Sequence, residues 1–457
     1  MNEELVFVYE KLTDFFNSRK FADLRITLLS MEPFDIASFI EENLDEKDQI
    51  KFFRLLPKEL ASDVFVETDT DTQESLIKSF TDKELKAVID DMFLDDTVDV
   101  IEEMPANVVK RILKNSDPEN RKQINELLAY PEDTAGSIMT PEFITLSASM
   151  TVDMAFDKIR RTGMDKESIY TYYVTDRKKR LLGVVTVKDL LIADKKSLIE
   201  SIMDTSVVTV TTLEDKEQVA LKLSQYDFLS LPVIDKEGCI VGIVTVDDAV
   251  DVIQEEATED IQMMAAVLPT EKPYLKQSPF RIWMARLPWL LLLMFSATFT
   301  SLILSSYEAR LAVISGGVLY AFVPMLTGTA GNAGGQTSVT VIRALALGEV
   351  DFKDSFKVVL KELLSALLIG STIAVACFLK LYFIDSLYSD VSLKVAVIVS
   401  FVLLITIIMA KLVGCLLPIL AKKCKLDPAV VASPFMTTIV DALALIIYCS
   451  VTVALLA

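Results

Sequence analysis

The chain contains no histidine. This removes the side chain whose charge changes near neutral pH, and with it His-based acid–base catalysis and the commonest zinc and copper ligand. The five cysteines (Cys239, Cys377, Cys415, Cys424, Cys449) are scattered and form no CxxC pair, so no disulfide framework is indicated. Glycine is absent before Gly136, and Lys and Arg are absent from 237 to 271. The opening stretch MNEELVFVYEKLTDFF lacks a basic start and a long apolar core, so no signal peptide is expected and the soluble part should stay on the cytoplasmic side. No D-x-D-x-D-G loop of an EF-hand occurs, and no nucleophile–base set or catalytic metal signature points to an enzyme.

What is present divides in two. Mean hydropathy is +0.41 although 24% of the residues are charged, which suits a soluble part joined to a membrane part better than one globular domain. Residues 1–279 hold 32 Lys and Arg against 56 Asp and Glu; residues 280–457 hold 13 against 9. The acidic soluble part argues against nucleic acid as a partner. Its charge suits cations, or serves solubility alone.

Residues 1–130 read as an all-α superhelical domain. Apolar residues recur at spacings of three and four, as in Leu55-Leu56, Leu60 and Val64. Pro33, Pro57, Thr81-Asp82 and Pro105 recur every 24 residues, and each precedes a helical run, which predicts a repeat of about one helix pair. Residues 90–103 hold seven carboxylates; at helical spacing Asp91, Asp95, Asp99 and Glu102 share one face, with Asp96 beside them. Like charges at that spacing destabilise a helix unless neutralised, so the stretch is either a surface for a hard divalent cation or a solvated acidic face.

Residues 131–250 contain a repeat. Ser137-Ile-Met139 matches Ser201-Ile-Met203, and Gly183-Val-Val-Thr186-Val-Lys-Asp189 matches Gly242-Ile-Val-Thr245-Val-Asp-Asp248. The duplicated GxxTxxD resembles a pair of α/β CBS domains. The resemblance implies a regulatory module that can take an adenine nucleotide such as ATP, with Asp189 and Asp248 on ribose hydroxyls and Lys188 on a phosphate; the other reading is that Thr and Asp cap the following helix. The second copy runs straight on into an acidic connecting helix, on which Asp247, Asp248, Asp251, Glu255, Glu256, Glu259 and Asp260 fall largely on one side, and residues 251–279 complete it and end in a proline-marked linker.

Residues 280–457 predict five spans across the lipid bilayer, over 287–307, 311–342, 363–379, 395–410 (apolar with one Lys to about 421) and 428–457. Arg281 and Arg286, the 343–361 loop and the 422–425 loop carry the basic residues, which places the N-terminus in the cytoplasm and the C-terminus outside. The second span holds PMLTGTAGNAGGQT, and its glycines with Asn332, Gln336 and Thr337 suggest irregular backbone lining a cavity at Gly328, Gly331, Asn332 and Gly335; close packing of small residues is the other reading. In the last span Asp441 is a lone charge, expensive in a membrane unless it meets water or a cation, and Pro434 two turns earlier frees a backbone carbonyl.

The order of parts now resembles the MgtE family of magnesium channels, through DDxxDxxEEMP (Asp95 to Pro105), EEATED (Glu255 to Asp260), GNAGGQ (Gly331 to Gln336) and LDPAVVASPFMTTIVD (Leu426 to Asp441). The resemblance covers the whole chain. It implies a multi-pass protein of the cell membrane, a homodimer with the ion path on its two-fold axis, and a gate formed by the acidic connecting helices. It makes Asp441 the pore carboxylate. Ser433 stands where the family often has Asn, so its backbone carbonyl is what carries over. Glu217, Asp227, Asp248, Asp251, Glu256, Glu259, Asp260 and Asp427 match cytosolic Mg²⁺ ligands. The function expected is a Mg²⁺-selective channel closed by cytosolic Mg²⁺. The alternatives are a gradient-coupled divalent-cation transporter and a non-transporting membrane sensor built on the CBS pair.

Overall fold

The computed structural model describes residues 3–163, 166–270, 274–315, 318–388, 391–432 and 434–456. The chain forms two compact units, Met1–Ile253 and Gln254–Ala457.

The first unit begins with helices α1 (Glu3–Asn17), α2 (Phe21–Leu28), α3 (Pro33–Asn43), α4 (Glu46–Phe53), α5 (Lys58–Val66), α6 (Thr70–Ser79), α7 (Asp82–Ile89), α8 (Leu94–Glu103), α9 (Ala106–Asn115) and α10 (Pro118–Leu127). The 24-residue period is the period of alternate helix starts. Pro33 is the first residue of α3, Pro57 and Pro105 precede α5 and α9, and Thr81 closes a capping box with Glu84 on α7. Proline is tolerated there because the first N–H groups of a helix have no internal partner. Aromatic side chains fill the interior: Phe39 and Phe52 are fully buried with ring centroids 5.1 Å apart, and Phe53 lies 5.4 Å from Phe80. The 90–103 run is not one helix. Asp90 caps α7, Asp91 lies exposed in the turn, and α8 starts at Leu94, because Leu94, Val98 and Ile101 must face the core.

Two similar three-stranded sheets follow. The first copy has β1 (Thr145–Ser147), α11 (Val152–Thr162), β2 (Thr171–Thr175), β3 (Leu181–Thr186) and α12 (Val187–Ile192). The second follows α13 (Ile199–Ile202) and has β4 (Val210–Thr211), α14 (Lys216–Tyr226), β5 (Ser230–Ile234), β6 (Ile240–Thr245) and α15 (Val246–Met264). In each sheet the middle strand pairs parallel to the first and antiparallel to the third. The copies exchange their opening segments. Thr140 bridges Ile243 beside β6, and Asp204 bridges Val184 beside β3. The repeated methionines and glycines belong to this exchange: any Cβ at Gly242 would stand 2.6 Å from Met139 Sδ, and one at Gly183 would stand 3.0 Å from Met203 Sδ.

The second unit contains α16 (Pro279–Ser315), α17 (Val323–Ala346), α18 (Ser355–Phe383), α19 (Leu393–Lys423), α20 (Pro428–Ala432) and α21 (Pro434–Leu456). Four described stretches, Pro279–Val313, Phe352–Leu387, Leu393–Lys423 and Phe435–Leu456, are long and apolar enough to cross a membrane. The second expected span, α17, has 24 residues, and its GNAGGQTS sequence makes it more polar. Irregular backbone was the expectation for α17, and it is instead one continuous helix. Its glycines are used for close packing: Gly334 lies against the Ala410 carbonyl and Met436, and Gly414 of α19 against the Gly334 backbone. Of the last segment, helix is described over Pro428–Ala432 (α20) and Pro434–Leu456 (α21). Ser433 lies outside the described residues.

A Cβ at Gly414 would collide with the Gly334 carbonyl, whereas one at Gly328 meets nothing within 4 Å. Gly414→Val should lower the melting temperature of the detergent-solubilised protein by roughly 5 °C or more, the scale of core overpacking. Gly328→Ala should leave it within error, and equal losses for both would contradict this packing.

Candidate functional site

Two groups of polar residues stand out. The first lies in the unit Met1–Ile253 and is made by four elements. The apolar face of α8 is held in the core, so Asp95, Asp96 and Asp99 project from its other side. The first residues of α15 supply Asp247, Asp248 and Asp251, because Ala249 and Val252 face inward. The end of α5 supplies Asp63 and Glu67, one turn apart. The segment before β2 supplies Glu167, whose N–H donates to the Glu142 carbonyl at 3.0 Å. Glu142 in turn accepts the first N–H of α8, from Leu94, at 3.0 Å.

These carboxylates disfavour one another's charge. Burial first, then Asp96, Asp248 and Glu167, holds Asp95 well above the usual carboxylate range. Asp96 is pushed up to about 7 by burial, Asp248, Asp63 and Glu67. Asp99, although it keeps access to solvent, is also pushed to about 7, by lost hydration and then Asp248. Glu167 rises to about 7 through burial, Asp96 and Asp247, and Asp248 to about 6 although Thr245 donates its hydroxyl to it. Burial and Asp251 raise Glu67, and burial and Asp247 raise Asp251. Buried oxygens of Asp95 (Oδ1) and Glu167 (Oε2) have no hydrogen-bond partner. Hard oxygen donors, some unsatisfied and all repelling, are what a Mg²⁺ or Ca²⁺ site requires. No three of these oxygens lie within 4.8 Å of one another, so ligation would draw them together. The described trio that does meet that distance, Asp235, Glu237 and Cys239, is a turn in which Asp235 Oδ1 accepts two backbone N–H groups.

The structure thus brings together Asp95, Asp96, Asp99, Asp248 and Asp251 from the sequence reading and leaves Asp91 out. It adds Asp63, Glu67, Glu142 and Glu167. The pair Asp63/Glu67 at helical spacing was a usable signal; isolated Glu142 and Glu167 gave none. The other expected cytosolic ligands lie outside this group. Glu217 and Asp227 sit at opposite ends of α14, with Asp227 in the left-handed region at φ 53°. Glu256 and Glu259 lie further along α15. Burial, Asp427 and Glu259 raise Asp260, while Asp427 Oδ1 accepts the Ala429 N–H at 2.8 Å.

In the CBS pair, Asp189 and Thr186 form a reciprocal capping box at the start of α12, with Asp189 Oδ2 2.6 Å from the Thr186 hydroxyl. Capping is therefore real in this copy. Lys188 and Asp189 both remain exposed.

The second group lies in the unit Gln254–Ala457. On α17 Ala330, Ala333, Gly334, Thr337 and Ser338 are buried, while Gly328, Asn332 and Gln336 are exposed and Gly331 and Gly335 partly so. Asp441 of α21 borders the open face, since a Cβ on Gly331 would stand 3.7 Å from its Oδ1. Thr337 departs from the cavity-lining reading: it faces inward and donates to Glu362 Oε2 at 3.2 Å.

A carboxylate on an open glycine-rich helical face, joined in one chain to a CBS pair and an acidic helical domain, defines an ion-transporting membrane protein. Comparison with known proteins makes this specific. The MgtE profile, described as a divalent cation transporter, matches residues 323–451, the MgtE intracellular N domain matches 31–133, and CBS domains match 135–196 and 199–255. The magnesium transporter MgtE of Thermus thermophilus is 37% identical over 95% of this chain and 95% of its own length; that of Enterococcus faecalis is 32% identical over 98% and 96%. The chain belongs to the MgtE family of magnesium transporters, which are multi-pass membrane proteins and not enzymes. Among solved structures, the soluble part of a magnesium transporter superposes with TM-score 0.53 at 30% identity, covering 55% of this chain and 99% of that one. The cytosolic domain of the Mg²⁺ channel MgtE in complex with ATP superposes with TM-score 0.51 at 35% identity, covering 53% and 99%.

The raised carboxylates fix the sign of a pH effect. Asp96, Asp99 and Glu167 keep protons when folded, between about pH 4 and 7, where the unfolded chain has lost them. Stability should therefore fall as pH rises through that window. In EDTA the full-length protein should melt higher at pH 5.5 than at pH 8, and Mg²⁺ should raise the melting temperature at pH 8 but barely at pH 5.5. Calorimetry that finds no pH dependence in EDTA would contradict this.

Proposed function

We infer that the chain is a Mg²⁺-selective channel of the cell membrane, working as a homodimer and closed by cytosolic Mg²⁺. The observation that carries the reading is Asp441 beside the open Gly331 and Asn332 face of α17, in a helix that is otherwise uncharged. Among the described residues of one chain, nothing covers Gly328, Asn332 and Gln336 on that face. A second copy related by a two-fold axis would turn it into an enclosed path with two Asp441 carboxylates. The α16 span supports an additional partner or lipid, because none of its most apolar window is buried within the chain. Mg²⁺ dehydrates reluctantly, so Asp441, Asn332 and the backbone carbonyl of Ser433 would bind the water shell of the ion rather than strip it.

Gating follows from the acidic face. At low cytosolic Mg²⁺ Asp95, Asp96, Asp99, Asp248 and Asp251 repel. With Mg²⁺ they gain a shared partner, and the conformation in which they approach is favoured by its differential affinity. Glu256, Glu259 and Asp260 lie on the same helix, α15, so a change at its start is carried along a rigid element. The direction is negative feedback. ATP held between the CBS copies, with Lys188 and Asp189 as contacts, would tune that response; it is supported by the complex of the similar cytosolic domain with ATP. Basic residues at Arg281, Arg286, Arg343, Lys353, Lys357 and Lys422 favour a cytoplasmic N-terminus and an outside C-terminus. A gradient-coupled transporter remains the competing mechanism, since a carboxylate within a membrane span serves it equally.

Patch recording under stepped internal Mg²⁺ tests the reading. Wild type should give single-channel currents that close as internal Mg²⁺ rises. Asp441→Ala should lower Mg²⁺ current by roughly tenfold or more, as for loss of a contact of about 1.4 kcal/mol. Asp95→Asn combined with Asp248→Asn should leave current intact and raise the Mg²⁺ needed for closure by about tenfold on the same scale. Slow flux that follows a proton or Na⁺ gradient, without unitary currents, would overturn the channel in favour of the transporter.

A further inference from the structure

The membrane unit holds a second interior carboxylate that the ion path does not use. Glu362 of α18 and Lys411 of α19 form an ion pair of 3.0 Å, and their side chains are only 17% and 8% exposed. The Lys411 ammonium also donates to Ser365 Oγ at 2.8 Å. Thr337 of α17 donates to the same Glu362 oxygen at 3.2 Å. Two helices, α17 and α18, thus contribute the oxygens, with Thr337 bracing the Glu362 carboxylate, and α19 contributes the charged nitrogen. One residue away, the Ala410 carbonyl faces Gly334, and one turn away Gly414 packs on Gly334, so the pair stands directly behind the glycine face of α17.

A carboxylate and two hydroxyls in an apolar surround are the donor set of a small-cation site, since hard oxygens compensate a charge that hydrocarbon cannot. Here the cation is covalently attached. We propose that Lys411 is a tethered counter-cation that fills an oxygen-lined monovalent-cation site made by Glu362, Ser365 and Thr337. Glu362 is thereby neutralised without an exchangeable proton or Na⁺, and the wall behind the ion path keeps one charge state whatever the gradient. Removing one member of a buried pair leaves an uncompensated charge, whereas removing both does not. An emptied Lys411 position should therefore recruit a free cation. The proposal deepens the channel reading, because a permanently filled site offers no coupling ion, but its thermal test stands without that reading.

The test uses the full-length protein in detergent, melted at equal ionic strength in N-methylglucamine, choline, sodium and ammonium chlorides. Wild type should melt alike in all four. Lys411→Ala should melt lower in the two bulky salts and recover in sodium or ammonium chloride. In liposomes its Mg²⁺ flux should acquire a dependence on the same small cations, which wild type lacks. If Lys411→Ala does not fold in the bulky salts, Lys411→Ala with Glu362→Gln should fold and respond to none of the four. Identical melting of Lys411→Ala in every salt, or a small-cation response in the double variant, overturns the tethered-cation assignment. A wild type whose flux follows a Na⁺ or proton gradient while Lys411→Ala still shows selective thermal rescue would instead remove the channel reading and leave the site.

Discussion

Mutual repulsion among carboxylates is the constraint on which the unit Met1–Ile253 depends. Asp95, Asp96 and Asp99 leave α8 on the side its core residues do not use, and Asp248 and Glu167 add their charge from other elements. Hydration is what such groups normally rely on, and burial has removed part of it. Protons can make up the deficit below neutral pH, and hard cations can make it up above. The fold therefore carries an unmet demand for positive charge that its own Lys and Arg do not fill: the largest charge effects on Asp95, Asp96 and Glu167 all come from other acids.

Much of this was legible in the chain. The 24-residue period of Pro33, Pro57, Thr81 and Pro105 marks real helix starts, because proline and a capping Thr have local reasons to sit there. The duplicated GxxTxxD likewise marks a strand leading into a capped helix. What failed was non-local. Asp91 shares a helical face with Asp95 only if the helix runs through it, and the demand that Leu94, Val98 and Ile101 reach the core places the start after it. Glu142 and Glu167 carry no pattern; only the folding of the first CBS copy onto α8 brings them to the acidic face. The dispersed carboxylates Glu217 and Asp227 show the reverse, a motif match whose members one chain keeps at the two ends of α14.

The membrane unit makes the same distinction with glycine. A run such as GNAGGQT is compatible with unwinding and with tight packing, and periodicity alone does not separate them. The decision comes from partners: the Ala410 carbonyl and Met436 approach Gly334 closely, and Gly414 approaches it from α19, so the helix stays whole and its small residues admit neighbours. The polar members of the run then part company. Asn332 and Gln336 stay on the open side, and Thr337 turns to Glu362.

The exchange of opening segments between the CBS copies has a consequence for how the protein is made. Thr140 finds its partner in Ile243, about a hundred residues later on the chain. A ribosome emitting residues from the N-terminus therefore releases the first sheet of the pair before the edge contact of its own leading segment exists. The early copy must wait, incomplete, until β6 emerges. The two halves are for this reason one unit of synthesis as well as of sequence duplication, and a truncation between them would strand both.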